Sequence, residues 1–362
     1  MTCWPDSPVR PANSPSPENN EMRNCGWAIV LAFCCGAVAA DAVADTEPLG
    51  PVESQGLDLP LVCRLGETCW VANYVYVDPT GGARDFRCKG RSYNTHDGTD
   101  FPIRDRAVME QGVPVVASAP GTVRRVRDGV EDAALTDQAL RARVAGRECG
   151  NGVVLDHEGG WQTRYCHLRL GSIRVRVGER VERGSPLGLV GLSGRTEFPH
   201  VHLTVRRNRQ VIDPFTGQIQ SAGCGLEEKP LWRADAHVAY EEVALYNAGF
   251  AGSRPDVEAI RSGRVQDAPL PPTAPALVLW VDILGVQSDD RLRFRIIGPD
   301  GQVVLDKERR VDRTQARRFM FAGQRLRTDA WPSGSYSGQV TLTRTLDDSP
   351  MERSITRTVT VQ

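Results

Sequence analysis

Lysine is almost absent from this sequence. It occurs only at Lys89, Lys229 and Lys307, although lysine and arginine together number 44. The 45 acidic residues leave a formal net charge of −1, so no overall positive field attracts the chain to nucleic acid. No lysine lies between Gly90 and Glu228. The glycine-spaced hairpin patterns of that stretch therefore do not belong to a lipoyl- or biotin-type carrier, which needs a lysine at a hairpin tip for covalent attachment.

Long apolar runs are also scarce, and the clearest one lies near the N-terminus. Residues 22–44 read MRNCGWAIVLAFCCGAVAADAVA, with a basic start, an apolar stretch and small residues at the end. This pattern is typical of a secretory signal peptide and is too short for a transmembrane helix. We therefore expect translation to start at Met22, with residues 1–44 as leader and signal peptide; a disordered leader before Met22 is the alternative. Lipoprotein attachment at Cys34 is disfavoured, because bulky Phe33 occupies a position that requires a small residue.

Removing this segment leaves an even number of cysteines, which in an exported chain predicts disulfides. One pairing has a local argument. The stretch CGNGVVLDHEGGWQTRYC reads as two strands around a Gly159–Gly160 turn and brings Cys149 opposite Cys166. His157 stands at that turn, where we expect it to be exposed. The pairing of the other four cysteines stays open: Cys63, Cys69, Cys88 and Cys224.

Histidine is rare as well, and four of the six histidines lie in three short motifs. HDGTD contains His96 and Asp100, RYCHL contains His167, and PHVHL contains His200 and His202. Side chains alternate faces along a strand, so the last two histidines point the same way. Each motif alone is more often an ordinary surface or core feature. Two histidines and one carboxylate drawn from these motifs would form a recurring catalytic zinc set, which leaves a fourth position for water.

The order of these motifs resembles the M23 zinc metallopeptidases, the LytM or lysostaphin type. HDGTDF is similar to the first metal motif of the family, and ASAPGTVRRV to the strand-turn-strand that follows. VERGSPLGLVGLSGRTEFPHVHLTV resembles the closing segment, which ends near VIDPF. The resemblance covers roughly residues 85–216. It implies a mainly β fold, with a compact LytM-type antiparallel catalytic domain built from lipoyl-like hairpins.

The resemblance also implies one zinc ion per catalytic domain, bound by His96, Asp100 and His202. His200 and His167 would then be the catalytic histidines that do not bind the metal. Zinc lowers the pKa of bound water from about 15.7 to about 7. The chain has no HExxH glutamate to move protons, but histidine titrates near neutrality and can do so. We expect His200 to be the general base or acid, and His167 to stabilise the oxyanion or to be a second proton shuttle.

The implied substrate is the peptide part of peptidoglycan, cut by a zinc-activated water. The predicted signal peptide and disulfides favour the periplasm of a Gram-negative cell, with no transmembrane span. In that setting the family typically cuts D-Ala–diaminopimelate cross-links, but the sequence leaves the bond open.

Two alternatives remain beside this prediction. In the first alternative, the chain is a non-catalytic LytM-like domain that binds cell wall or activates another hydrolase. In the second, it is a latent enzyme. In some relatives an upstream segment occupies the fourth zinc position. Here Asn73 or the thiolate of Cys88 would be the candidates. The Asp128–Arg147 excursion, longer than the family pattern, reads as an inserted loop or short helix beside the groove.

The remaining sequence suggests further units. Residues 45–94 form an N-terminal cysteine-containing segment, and 95–225 the catalytic domain. Residues 226–275 read as a helical connector with a proline-rich linker, because AHVAYEEVALYNAGFAG has helical spacing. Residues 276–362 alternate polar and apolar residues between Gly and Pro turns, which predicts a C-terminal β-sandwich. This accessory module contains neither histidine nor cysteine. Three roles stay open for it: binding cell wall, binding a protein partner, or bracing the catalytic domain.

Overall fold

The computed structural model describes residues 51–134, 142, 144–265, 268–346 and 349–362. The leader and the predicted signal peptide lie outside these residues, as do residues 135–141 and 143 of the predicted insertion. Within the described ranges, no helix is long and apolar enough to cross a bilayer.

The described chain is mainly β-structure. Its short helices are α1 (Pro51–Gln55), α2 (Arg106–Gln111) and α3 (Val257–Arg261). Its strands are β1 (Thr99–Pro102), β2 (Pro114–Val116), β3 (Gly121–Arg127), β4 (Asn151–Asp156), β5 (Trp161–Leu168), β6 (Arg180–Val181), β7 (Pro186–Leu189), β8 (His200–Arg207), β9 (Gln210–Ile212), β10 (Ala244–Ala251), β11 (Ala276–Val286), β12 (Arg291–Ile297), β13 (Val303–Arg310), β14 (Gln315–Arg325), β15 (Gly334–Leu346) and β16 (Ser349–Val361).

The first half of the chain forms one antiparallel sheet in the order β1-β8-β5-β4-β3-β6, and β9 also pairs with β8. A two-stranded ribbon, β2-β7, lies beside it. β5 and β8 are almost entirely buried along their length, as expected for central strands with both faces covered. The predicted antiparallel, hairpin-built domain is confirmed.

The predicted hairpin is also confirmed. β4 and β5 pair around a turn at Glu158–Gly160, and a disulfide joins Cys149 to Cys166. The prediction that His157 is exposed is wrong, because its ring turns inward and is buried. Nδ1 of His157 donates to the carbonyl of Pro120 at 2.6 Å, and Nε2 lies 2.8 Å from Thr163 Oγ1. Burial lowers the pKa of this histidine.

The N-terminal segment packs into the same core as the sheet. Its buried residues Leu57, Tyr74 and Phe86 contact the cluster that contains the strands. The Cys88–Cys224 disulfide links it to the chain after the sheet, and the Cys63–Cys69 disulfide closes a short loop within it. The suggestion that Cys88 acts as a thiolate ligand is therefore wrong, because its sulfur is bonded to Cys224.

The described start of the predicted insertion lies against the ends of two strands. Asp132 accepts hydrogen bonds from the backbone N–H groups of Leu170 and Leu192. It also forms a β-bridge with Ser193. This part of the excursion is therefore a fixed loop beside the end of β5.

The C-terminal half forms the predicted β-sandwich. Sheets β10-β11-β14 and β13-β12-β15-β16 enclose an apolar core that includes Leu279, Phe294 and Val340. The prediction of a helix over residues 236–252 is wrong, because Ala244–Ala251 is strand β10, paired with β11. Strand β11 is buried along almost its whole length, and β10 pairs with one of its edges. This tertiary pairing outweighs the local helical spacing. Within the described part of residues 226–275, the α-helix is α3 alone.

Candidate metal centre

The sheet register brings the proposed ligands together. Asp100 on β1 lies directly opposite His202 on the neighbouring strand β8. His96 stands three residues before β1, after a turn in which Thr95 adopts a left-handed φ of 69°. Residues directly opposite each other in an antiparallel pair are held a short, fixed distance apart. The loop and the two strands therefore hold these three side chains close together.

Three side-chain atoms form a small triangle at this point. His96 Nε2 lies 3.2 Å from His202 Nδ1 and 3.1 Å from Asp100 Oδ1. His202 Nδ1 lies 2.8 Å from the same carboxylate oxygen. All three residues are buried. Two ligands of a tetrahedral zinc ion at about 2.0–2.1 Å from the metal lie about 3.3 Å apart, so the donor types and their spacing fit zinc.

Each of these side chains also has an outer hydrogen-bond partner. His96 Nδ1 donates to the carbonyl of Tyr74 at 2.7 Å, and His202 Nε2 contacts Asp97 Oδ1 and Thr204 Oγ1, each at 3.2 Å. Such contacts fix the tautomer of a metal-binding histidine and free its other ring nitrogen for the ion. The second oxygen of Asp100 accepts from Asn73 Nδ2 at 2.9 Å.

The charges at this point favour a cation. Burial opposes the charged form of Asp100, but positive charge on His96 and His200 holds its pKa well below the usual range. Burial likewise opposes protonation of His202, yet hydrogen bonds to Asp100 and Asp97 raise its pKa to about 9. The buried carboxylate of Asp100 and the partly buried carboxylate of Asp97 thus place negative charge on both sides of His202.

The other two predicted histidines stand beside the triangle. His200 Nδ1 donates to the carbonyl of Phe198 at 2.9 Å and lies 3.1 Å from Thr196 Oγ1. His200 Nε2 faces the triangle, 3.3 Å from Asp100 Oδ1. The ring of His167 is 4.6 Å from that of His200.

His167 is held in an unusual backbone conformation. Its φ of 64° lies in the left-handed region, which costs a residue with a Cβ about 1–3 kcal/mol and is frequent at functional sites. Its backbone N–H donates to the carbonyl of Cys149 at 2.8 Å, next to the disulfide. Its Nδ1 donates to the carbonyl of Ser193 at 2.8 Å. Burial, and then positive charge on His200 and His202, hold its pKa well below the usual range.

All five predicted site residues line one open groove. The groove has a volume of about 1920 Å³ and also contains residues from the N-terminal segment and from the start of β14. A groove of this size accommodates an extended peptide. The structure therefore brings His96, Asp100, His167, His200 and His202 into one accessible site.

The comparisons with known proteins agree with this arrangement. Residues 94–214 match the model of Peptidase family M23. Residues 94–214 form an M23 peptidase domain.

Curated relatives match about a third of the chain. A Haemophilus influenzae protein described as an uncharacterized metalloprotease is 31% identical over 131 residues, which cover 36% of this chain and 22% of the relative. The peptidoglycan DD-endopeptidase ShyA of Vibrio cholerae is 35% identical over 107 residues, 30% of this chain and 19% of the relative. The chain thus spans about a fifth of the length of these curated relatives.

Among solved structures, the chain is similar to the catalytic domain of the prophage-encoded M23 protein EnpA from Enterococcus faecalis. It is 26% identical, with a TM-score of 0.25, and the match covers 33% of this chain and 77% of that chain.

Two neighbours of the ligands in the M23 domain were missed by the sequence reasoning. Asp97 contacts His202, and a Cβ at Gly98 would lie 2.5 Å from His202 Nε2. Both residues stand inside the HDGTD motif, between the two predicted ligands His96 and Asp100. The sequence could not show that the loop folds back against β8, which makes these middle residues part of the site.

Proposed function

We propose that this chain is an exported zinc-dependent endopeptidase that hydrolyses peptide cross-links of peptidoglycan. The observation that carries the proposal is the triangle of His96 Nε2, Asp100 Oδ1 and His202 Nδ1, inside a domain that matches the M23 family. The similarity to the peptidoglycan DD-endopeptidase ShyA supports the substrate class. The periplasmic location rests on the predicted signal peptide and on the disulfides.

The chemistry divides between a metal ion and the two other histidines. Zinc bound by His96, Asp100 and His202 would supply a Lewis acid that activates water at neutral pH and polarises the scissile carbonyl. His200 donates through Nδ1 to a backbone carbonyl, so in its neutral form Nε2 carries no proton. This nitrogen faces the triangle, 3.3 Å from Asp100 Oδ1. In this proposal His200 takes up the proton of the attacking water and later delivers it to the leaving amine.

The hydrogen bonds of His167 favour one of its two expected roles. Because Nδ1 carries the proton given to the Ser193 carbonyl, neutral His167 presents an unprotonated Nε2. Such a nitrogen accepts a proton but cannot donate to an oxyanion. We therefore infer that His167 acts as a second proton shuttle.

A digest of purified peptidoglycan sacculi tests the proposal. Purified protein that starts near Asp45 is incubated with the sacculi, with and without a zinc chelator. The released muropeptides are identified by mass spectrometry. We expect chelator-sensitive conversion of cross-linked dimers to monomers, and the masses identify the bond. Metal-loaded chain that leaves all cross-links intact would contradict the proposal.

One observation favours latency as a second candidate. The side-chain oxygen of Asn73 is buried without a hydrogen-bond partner, while its amide donates to Asp100. Asn73 also lines the groove, and an amide oxygen is a donor type that can serve as a fourth metal ligand. If it blocks the site, Asn73→Ala will raise turnover on sacculi at unchanged zinc content. If Asn73 only orients Asp100, the same variant will lower zinc affinity instead.

A further inference from the structure

We propose that the C-terminal sandwich is part of the catalytic centre, through Arg317 on β14, which holds Phe198 and thereby positions His200. The inference rests on the proposed function, since it assigns a device to the same reaction. It makes Arg317 a positioning residue that acts on the reaction through another side chain.

The contacts run in an unbroken series from the sandwich to the catalytic histidine. The first residues of β14, from Gln315 to Arg317, line the same groove as His200. The guanidinium carbon of Arg317 lies 5.3 Å from the centre of the Phe198 ring. The Phe198 ring in turn lies 4.9 Å from the ring of His200, tilted by 36°. Cation–π attraction of this kind is stronger where water is excluded.

Arg317 is itself held in place within the sandwich. Its Nη2 donates to Asp282 Oδ2 at 2.8 Å. The buried carboxylate of Asp282 also accepts from Arg261 Nε at 2.9 Å and from the hydroxyl of Tyr246 at 2.7 Å. The guanidinium carbon lies 5.5 Å from the Tyr246 ring as well. Because Arg261 and Tyr246 also hold the Asp282 carboxylate, Arg317 presents a fixed surface to Phe198.

Phe198 contacts His200 in two ways, so its position matters twice. Its ring packs beside the imidazole, and its carbonyl accepts the Nδ1–H of His200. Pro199 follows directly and restricts the backbone of Phe198 to an extended conformation. If Arg317 no longer holds the ring, the ring is free to turn away from the imidazole, and His200 loses one of its two contacts with Phe198. An error of about 1 Å in the position of a catalytic group can cost about a hundredfold in rate.

A purely structural brace predicts a different result from a positioning device. A brace stabilises the fold and leaves turnover per folded molecule unchanged. A positioning contact lowers kcat while zinc content and KM stay near wild type. A direct substrate contact raises KM with kcat unchanged.

The test compares Arg317→Met and Arg317→Lys in the full chain, with purified cross-linked muropeptide dimers as substrate. We expect kcat of Arg317→Met to fall about tenfold to a hundredfold, with zinc content unchanged, and Arg317→Lys to recover part of the loss. Arg293→Met is the matched control, because Arg293 pairs with Asp306 on an exposed strand of the sandwich. Unchanged kcat in Arg317→Met, or a rise in KM alone, would overturn the inference.

A second variant and a second measurement keep the test independent of folding and of activity. Phe198→Leu leaves the sandwich interior intact and should show the same loss of kcat, which decides the matter if Arg317→Met does not fold. In zinc-loaded protein, the Nδ1 proton of His200 should give a slowly exchanging NMR signal that broadens in the Arg317 or Phe198 variant. If the wild type cuts no peptide, the proposed function fails, yet this signal still decides whether Arg317 orients His200. An unchanged signal would contradict the positioning role.

Discussion

At the scale of single residues, the site is a set of side chains whose partners fix what each can do. His200 and His202 share one face of β8, but their surroundings differ. His202 Nδ1 lies between His96 and Asp100, whereas His200 gives its Nδ1 proton to the carbonyl of Phe198 and turns Nε2 towards Asp100 Oδ1 at 3.3 Å. The two histidines of HVH therefore suit different tasks, one as ligand and one as base.

Asp97 is expected to support the metal through His202. Its Oδ1 faces His202 Nε2, and its Oδ2 accepts from Arg164 at 2.6 Å and from Arg206 at 3.1 Å. Loss of such an outer carboxylate typically lowers metal affinity about tenfold to a hundredfold. We predict that loss for Asp97→Asn in a competition with a fluorescent zinc chelator. Asp235→Asn, at an exposed surface pair with Arg233, is the control, and equal affinities for both variants would disprove the assignment.

Asp213 is expected to make stability depend on pH. Burial raises its pKa to about 7, although it accepts from the backbone N–H groups of Phe215 and Thr216. Between the unfolded pKa of about 3.9 and the folded value, the folded chain binds more protons, so the free energy of unfolding falls as pH rises. Asp213→Asn cannot ionise, and its advantage over wild type should grow by about 2–3 kcal/mol from pH 5 to pH 8. Parallel thermal unfolding curves for the two proteins across this range would contradict this.

At the scale of elements, the pairing of β1 with β8 brings the candidate metal ligands together. The turn between His96 and β1 must pass very close to β8. A Cβ at Gly98 would lie 2.5 Å from both His202 Nε2 and the Leu203 carbonyl. The glycine is thus required by the close approach of the turn to the strand, which no local pattern reveals.

Gly98→Ala should therefore displace His202 and weaken zinc binding, while the chain still folds. Zinc content after dialysis measures the effect. Gly90→Ala serves as control, because a Cβ there would meet only Thr314 Cγ2 at 3.6 Å, an ordinary contact. Full zinc retention by Gly98→Ala would show that the turn can move without cost.

Elements with strong local patterns were predictable and those set by tertiary contacts were not. The β4–β5 hairpin and its disulfide could be predicted from the alternation of apolar and polar residues around two glycines. The five groove residues could be predicted from the order of the motifs. Strand β10 was mistaken for a helix because its pairing with β11 lies far along the chain. His157 was taken for a surface residue because its hydrogen bond to Pro120 is equally remote.

At the scale of the whole molecule, the N-terminal segment, which packs against the M23 domain, also shares an apolar contact with the sandwich. Trp70 and Ala72 pack against Ala244, Tyr246 and Leu284, and the Trp70 and Tyr246 rings lie 5.6 Å apart. The connection between the two units is fixed from both sides. Arg91 donates to the carbonyl of Glu241 and Arg344 to that of Glu242, each at 2.9 Å.

This contact predicts that the two units unfold together. Tyr246→Ala removes a buried ring and the hydroxyl bond to Asp282, at a cost of about 3–5 kcal/mol. In calorimetry we expect one transition for wild type and two for the variant. Val303→Ala, at an exposed position of the sandwich, should retain one transition. Two transitions already in wild type would show that the units are independent.

The most direct test of the central claim compares the metal content and turnover of His202→Ala and His200→Ala. The account predicts about one zinc per wild-type chain, loss of zinc and turnover in His202→Ala, and retained zinc without turnover in His200→Ala. If His200→Ala loses the metal while His202→Ala keeps it, the ligand and the base within HVH are exchanged and the account is contradicted.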